Sequence, residues 1–291
     1  MDQLEFDVAI SWEMPPHRGN VVTIDTLDRP IWTETKAQLI RDYLKLFLFI
    51  TKHGTYIDGF AGPQYGNHQD AWAAKLVLEM QPPWLRNFFL CELDDQNHST
   101  LCKLVDSQPQ DKKRKIETHH GDFNEWVFNI LDSGVITDRE ATFALLDQRT
   151  TECEWRTVEA LAKHKQGNTK IELFYFFPTG WVGRTLAAQK DTTVLDRWWG
   201  DDTWRKLVGI KSSQASEIMT HRFHDLGYLD VKSWPITKEE KGQGRTMYHM
   251  IHATDHLEAP KLMYRAYKHL VLPPDTAEQT DWVSELLGES K

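Results

Sequence analysis

Apolar residues recur along the chain in two alternating periods. Leu39, Ile40, Tyr43, Leu44, Phe47 and Leu48 fall at helical spacing behind Thr33, which can cap the start, and His53-Gly54 ends the run. Next comes Tyr56-Ile57-Asp58, a β-prone stretch that breaks into Gly59-Phe60-Ala61-Gly62 and predicts a first strand entering a turn. Helical spacing returns over Ala71 to Met80 and stops at Pro82-Pro83; Phe88 to Glu92 predicts a second strand, followed by a helix through about Val105. Lys115 to His120 predicts a third strand delivering Gly121-Asp122-Phe123, after which Phe123, Val127, Ile130 and Leu131 form a helical stripe. Ala141 to Asp147, Trp155 to Lys163 and Ile171 to Phe177 predict a fourth strand, a helix and a fifth strand, closed by Pro178-Thr179-Gly180.

Strands alternating with helices predict an α/β fold with a doubly wound parallel sheet, Rossmann-like in outline. Residues 181–227 read as a tryptophan-rich helical insertion after the fifth strand, a lid over the sheet edge carrying Trp181, Trp198, Trp199 and Trp204. Those rings could stack on a base, but aromatic residues in an amphipathic helix are more often its core. Tyr228 to Ile236 and Thr246 to Ala253 predict a final antiparallel strand pair across a polar loop, and a helix from Glu258 to Leu270 follows. Residues 1–31, with Pro15, Pro16 and Pro30, predict an irregular N-terminal arm packed across the active face; 32–272 form one domain, and 273–291 a polar tail.

Composition narrows the function. With 291 residues, 40% hydrophobic and 26% charged, the chain can bury a sizeable core. Its formal charge of -9 argues against a broadly basic nucleic-acid-binding body, leaving local rims at Lys112, Lys113, Arg114 and Lys115 or at Lys238, Lys241 and Arg245, each more readily read as solvated loop charge. The first residues lack a basic apolar signal, and no apolar run reaches the ~18 residues of a membrane span, so a cytoplasmic chain with no membrane association is expected. Three widely spaced cysteines, Cys91, Cys102 and Cys153, suit free thiols. His249, His252 and His256 lie close in sequence, but a strand sends 249 and 252 to opposite faces, so no metal site is expected.

The chemistry concentrates at strand ends. Asp58, Glu92, Asp122 and Asp147 each fall where a predicted strand stops, and open α/β sheets bind ligands at their carboxyl edge. Any one of these acids alone is more often a helix cap than a ligand contact, but the recurrence at successive strand ends favours a ligand edge. The series resembles the S-adenosylmethionine-dependent methyltransferase fold. The resemblance implies that Asp58 with Gly59, Phe60, Ala61 and Gly62 faces the methionine moiety. It also implies that Glu92 accepts the ribose hydroxyls, and that Asp122 accepts the adenine amine with Phe123 beside the ring.

A narrower resemblance rests on Tyr56-Ile57-Asp58-Gly59-Phe60-Ala61-Gly62-Pro63, Phe143 to Asp147, Glu154-Trp155, Leu173 to Gly180, Trp204-Arg205 and Met247 to Thr254. In this order, over roughly residues 30–270, they resemble the three-Cys-motif partner family, TcmP, a methyltransferase-like Rossmann family. That implies a partner protein carrying the cysteine motif. Three departures stand out: Gln64 where the turn usually continues with glycine, Asp70-Ala71-Trp72 in place of Gly-Ser-Pro, and Asp147-Gln148-Arg149-Thr150 in place of Asp-Pro-aromatic-Gly. In that altered stretch Asp147 and Gln148 are candidates to accept from an amine and Arg149 to bind a phosphate or carboxylate. The expected activity is methyl transfer from S-adenosylmethionine to a nitrogen of a nucleobase or nucleotide-like acceptor. The alternatives are a degenerate cofactor-binding subunit serving a partner protein and a metal-dependent nucleic-acid-processing enzyme.

Overall fold

Helix α1 (Ile31–Thr51) leads directly into β1 (Gly54–Asp58), whose five residues are all buried. The helix begins two residues ahead of Thr33, so Thr33 lies in its first turn instead of capping it; the leading N–H groups of a helix need no intrahelical acceptor, and the boundary can move toward Pro30. This computed structural model describes residues 31–63, 69–167, 169–180, 186, 191–238 and 245–271. The N-terminal arm, the C-terminal tail, Gln64, Trp181 and Lys241 lie outside the described residues.

A single 3₁₀ turn (Gln69–Ala71) precedes the short helix α2 (Ala73–Leu78). Then follow β2 (Leu85–Glu92), α3 (Asp95–Asp106), β3 (Lys115–His120), α4 (Phe123–Leu131), β4 (Thr142–Leu146), α5 (Trp155–His164) and β5 (Glu172–Phe177). Beyond β5 come α6 (Thr192–Trp199), a 3₁₀ segment (Asp202–Leu207), α7 (Ser212–Asp225), the strands β6 (Asp230–Lys238) and β7 (Arg245–Thr254), and α8 (Ala259–Val271). Among the described residues, seven strands form one sheet in the order β3-β2-β1-β4-β5-β7-β6. β1 to β5 are parallel, and β7 runs antiparallel to both β5 and β6. This is the doubly wound Rossmann-like sheet with an antiparallel final pair that the apolar pattern predicts.

Side-chain alternation divides the interior in two. Tyr56, Phe88, Leu90, Phe143, Leu145, Phe174 and Phe176 pack with α1, α2, α3 and α8 on one face. Ile57, Phe89, Ala144, Leu146, Leu173 and Tyr175 pack with α4, α5, α6 and α7 on the other. Strands covered on both faces lose their polar positions and become continuous apolar runs, which is why they were readable as short blocks. The insertion lies on this second face, where Trp198, Trp199 and Trp204 are core residues. Each indole N–H is satisfied, by Tyr175 Oη (2.9 Å), Thr203 Oγ1 (2.9 Å) and Asp196 Oδ1 (2.7 Å) respectively, so these three rings are not a surface for stacking bases.

At the amino end of β5 the Glu172 carboxylate is buried and accepts from Tyr43 Oη, from His252 Nε2 at 2.9 Å and from Thr254 Oγ1 at 2.8 Å. That network ties α1 and β7 to β5. His249 sits on the opposite face of β7, with Nδ1 2.7 Å from Thr179 Oγ1, and burial pushes its pKa down to about 4. Among the described residues no group of three or more His, Cys, Asp or Glu is arranged to hold a metal ion.

Candidate functional site

The order of crossovers reverses between β1 and β4, which are neighbours in the sheet, and the crevice beyond such a switch point is where doubly wound sheets take ligands. Here it is a cleft of about 890 Å³, within the range of small-molecule sites. The turns after β1, β2, β3 and β4 supply Gly59, Phe60, Gly62, Glu92, Asp122, Phe123, Asp147 and Arg149, while α6 supplies Val194 and Arg197 as a further wall. Eight of the eleven residues singled out in the sequence meet around this one cleft. Asp58 and Ala61 lie just beneath it, in a narrow space shared with Trp72 and Asp147.

Asp58 ends β1 in a dry environment. Its carboxylate accepts from Tyr56 Oη at 2.9 Å and from the Phe60 N–H at 3.1 Å. Burial is the main force acting on it; the two hydrogen bonds oppose burial, Asp147 and Glu92 reinforce it, and the pKa is pushed up to about 7. The neighbouring glycines are required by the chain itself. A Cβ on Gly59 would fall 2.5 Å from the Phe123 ring, and one on Gly62 would fall 2.0 Å from Glu92 Oε2. On the side where a Cβ would lie, each glycine thus makes room for Phe123 or Glu92, while both glycines still border the cleft. Ala61 is buried, with its carbonyl accepting from Trp72 Nε1 at 2.6 Å.

Glu92 draws the first two strand ends together. One oxygen accepts from the Gly62 N–H (2.8 Å), the other from the Asp94 N–H (2.9 Å). Each oxygen keeps a further lone pair for a hydroxyl donor on the cleft side. Asp122 caps α4 by accepting from the Asn124 N–H at 2.8 Å, and also accepts from Asn124 Nδ2 at 2.9 Å. It is nevertheless exposed along the cleft wall, so cap and ligand contact are compatible. Phe123 stands edge-on to Phe60, with centroids 6.2 Å apart. Asn124, overlooked in the sequence, is the buried joint of this wall: its amide also donates to the Glu152 carbonyl, and its oxygen accepts from Glu154 N–H and Thr157 Oγ1, each at 2.8 Å.

After β4 the predicted trio separates. Asp147 is buried and held by Lys36 Nζ of α1 at 2.6 Å. Gln148, expected to face an acceptor, points inward: Nε2 donates to the Phe176 carbonyl (3.1 Å) and Oε1 accepts from the Cys153 N–H (2.8 Å). The pleat explains this, because successive residues at a strand end point to opposite sides. Arg149 is exposed at the cleft. Lys36 is the partner that sequence reading missed, 111 residues from Asp147. Its one signal is its place on the buried stripe of α1, four residues before Ile40 and seven before Tyr43.

The lining is acidic. Seven carboxylates face two guanidiniums, Arg149 and Arg197, and Arg197 is itself paired to Glu154 at 3.0 Å. Of the proposed basic rim, Lys112 and Lys113 are exposed, whereas Arg114 donates to the Leu78 carbonyl at 2.9 Å and lies over the Phe88 ring.

No family model matches the chain, and no curated protein matches it by sequence. Among solved structures it is similar to the DszA carbon methyltransferase at 13% identity and a TM-score of 0.45, over 75% of this chain and 53% of that one, so the chain spans about half that protein's length. It is also similar to the methyltransferase domain of bacterial CtHen1 (9% identity, TM-score 0.43, 76% of this chain and 99% of that one). TYW2 from P. horikoshii, in complex with MeSAdo, is similar at 10% identity and a TM-score of 0.34, over 80% of this chain and 65% of that one. At such scores these likenesses add nothing to the fold derived from strand order, and what those proteins bind is said of them alone.

Proposed function

We propose that the chain is an S-adenosylmethionine-dependent methyltransferase acting on a nitrogen acceptor. The observation that carries this is the convergence of Glu92, Asp122, Phe123 and Asp147, from three separate strand ends, on one cleft at the switch point. The donor suits the lining: it brings a cationic sulfonium and an ammonium into an acidic cleft, a diol within the chemistry of Glu92, and an adenine whose amine and ring match Asp122 and Phe123. Bound there, it supplies an activated methyl group. The chain's part is to hold the donor and to fix the acceptor nitrogen in line, a task of proximity and orientation that requires no strong base. The resemblance to the three-Cys-motif partner family adds a cysteine-motif partner protein and a nucleobase-like acceptor, with Arg149 the group suited to a nucleotide phosphate.

A second reading is favoured by one particular observation. Gln148 is occupied by the chain and Asp147 is held by Lys36, which fits a subunit that binds the donor for a partner without transferring its methyl group. Thermal denaturation distinguishes the cases. S-adenosylmethionine at about 100 times its Kd should add ~2.7 kcal/mol to stability. No stabilisation at millimolar donor removes both readings; stabilisation with no methylated product, across nucleoside and amine acceptors, leaves the second.

A further inference from the structure

We infer that a small cavity at the amino end of the sheet is a second ligand site, taking a short-chain monocarboxylate against the ammonium of Lys165. The cavity measures about 80 Å³ and lies between α1, α8 and the amino ends of β4 and β5, at the opposite edge of the sheet from the cleft. An apolar cavity of ~150 Å³ holds a benzene ring, so this one suits a head group with an aliphatic chain of about three or four carbons. Phe47, Ile50, Ala259 and Leu262 form its apolar wall. Ile50 is 40% exposed and Thr169 is exposed, so the cavity meets solvent on that side.

Lys165 lines the cavity at the end of α5 and is only 5% exposed, yet among the described residues its ammonium has a single partner, the Glu140 carbonyl. Lysine is rarely buried this far without an acid against it, and two of its three N–H donors stay unused. Burial pushes its pKa down to about 8, against the pull of the Glu140 and Asp138 carboxylates. Those two acids are engaged elsewhere, Glu140 with Thr55 Oγ1 at 3.1 Å and Asp138 with the Gln166 N–H at 2.9 Å. The acids of the lining are occupied as well. Glu172 accepts from Tyr43, His252 and Thr254, and Asp255 from the Lys170 and Leu229 N–H groups at 3.2 and 3.0 Å. His256 Nδ1 accepts from the Glu258 N–H at 3.2 Å, and Lys170, with no carboxylate partner among the described residues, adds a second positive charge to the lining. A carboxylate entering here meets two lysines and breaks no existing ion pair, while its alkyl chain covers the apolar wall. An amine would find every acid already holding a donor.

The test uses the whole wild-type protein and sodium propionate as the probe. In protein isotope-labelled at its lysine Cε atoms, the Lys165 resonance, assigned by its loss in Lys165→Met or Lys165→Arg, reports ionisation and should titrate near 8. Saturating propionate should move that midpoint upward by about one pH unit, because a neighbouring anion favours the charged amine. Equal concentrations of 1-propanol or sodium chloride should leave it in place. Ile50→Glu, at an exposed position on the wall, should weaken propionate several-fold by setting a like charge beside it. Butyrate and acetyl-glycyl-valine, compared in the same titration, separate a free short-chain acid from a peptide carboxy terminus as the source of the carboxylate. A midpoint that propionate does not move, or that 1-propanol or chloride moves equally, overturns the inference. So does an Ile50→Glu variant that binds propionate as tightly as wild type. The measurement needs no methyl donor and reads the far edge of the sheet, so its failure is separate from a failure of S-adenosylmethionine to bind.

Discussion

At the scale of single residues, the turn after β1 is packed by the chain before any ligand arrives. Gly62 leaves room for Glu92, whose carboxylate then bridges two backbone N–H groups. Gly62→Ala should therefore cost about 1–3 kcal/mol in chemical denaturation, by forcing that carboxylate aside. In a Glu92→Ala background much of the penalty should vanish, giving a non-additive double-mutant cycle. Asp58 adds a pH signature. Its carboxyl is raised from an ordinary 3.8 to about 7 in the folded chain, so the unfolded chain releases the proton first. Its contribution to stability is full below the unfolded pKa and is lost as pH rises through the folded one, a swing on the order of a few kcal/mol. Asp58→Asn holds no ionisable group there, so its stability relative to wild type should improve as pH is raised through about 7, read from denaturation midpoints across pH.

Elements were legible because their signals are local. Short apolar blocks between helical stripes placed the seven strands found among the described residues, and acids at strand ends pointed to the cleft without any tertiary information. What stayed hidden is the direction of a side chain where an element stops and the identity of a distant partner. Gln148 and Arg149 are adjacent in sequence, yet one is sealed inside and the other is exposed. Lys36 and Asp147 have no sequence relation that would pair them, and nothing in the local pattern marks Asn124, whose distant partners lie 28 to 33 residues away. The β4 turn supplies a test at this scale. Gln148→Ala strips a partner from the Phe176 carbonyl and the Cys153 N–H, and should cost about 1–3 kcal/mol in stability. Arg149→Ala, one position on, should change stability by no more than ~0.5 kcal/mol. If Arg149 holds an anionic group, that same variant should weaken only ligands that carry one, measured by calorimetry.

For the whole molecule, strand order and charge act together. The switch point gathers the turns after β1 and β4, and the dry foot of the cleft holds Asp147 near enough to Asp58 that its carboxylate disfavours ionisation of Asp58. A cationic ligand settling above them reverses that effect, because it favours the ionised form of Asp58 and must lower its pKa. Binding below about 7 then requires a proton to leave, whereas binding well above it does not. Affinity for S-adenosylmethionine should accordingly rise with pH up to and through that value, with proton release detectable as a buffer-dependent heat in titration calorimetry. Asp58→Asn should bind with a flat pH profile. The acidic lining adds a long-range attraction that salt screens, since the Debye length falls from ~10 Å at 0.1 M to ~3 Å at 1 M. Raising salt should weaken binding of the cationic donor more than that of its neutral thioether product. Equal salt sensitivity of the two, with no release of protons near neutrality, would show that the carboxylates at this cleft serve the fold and not a cationic ligand.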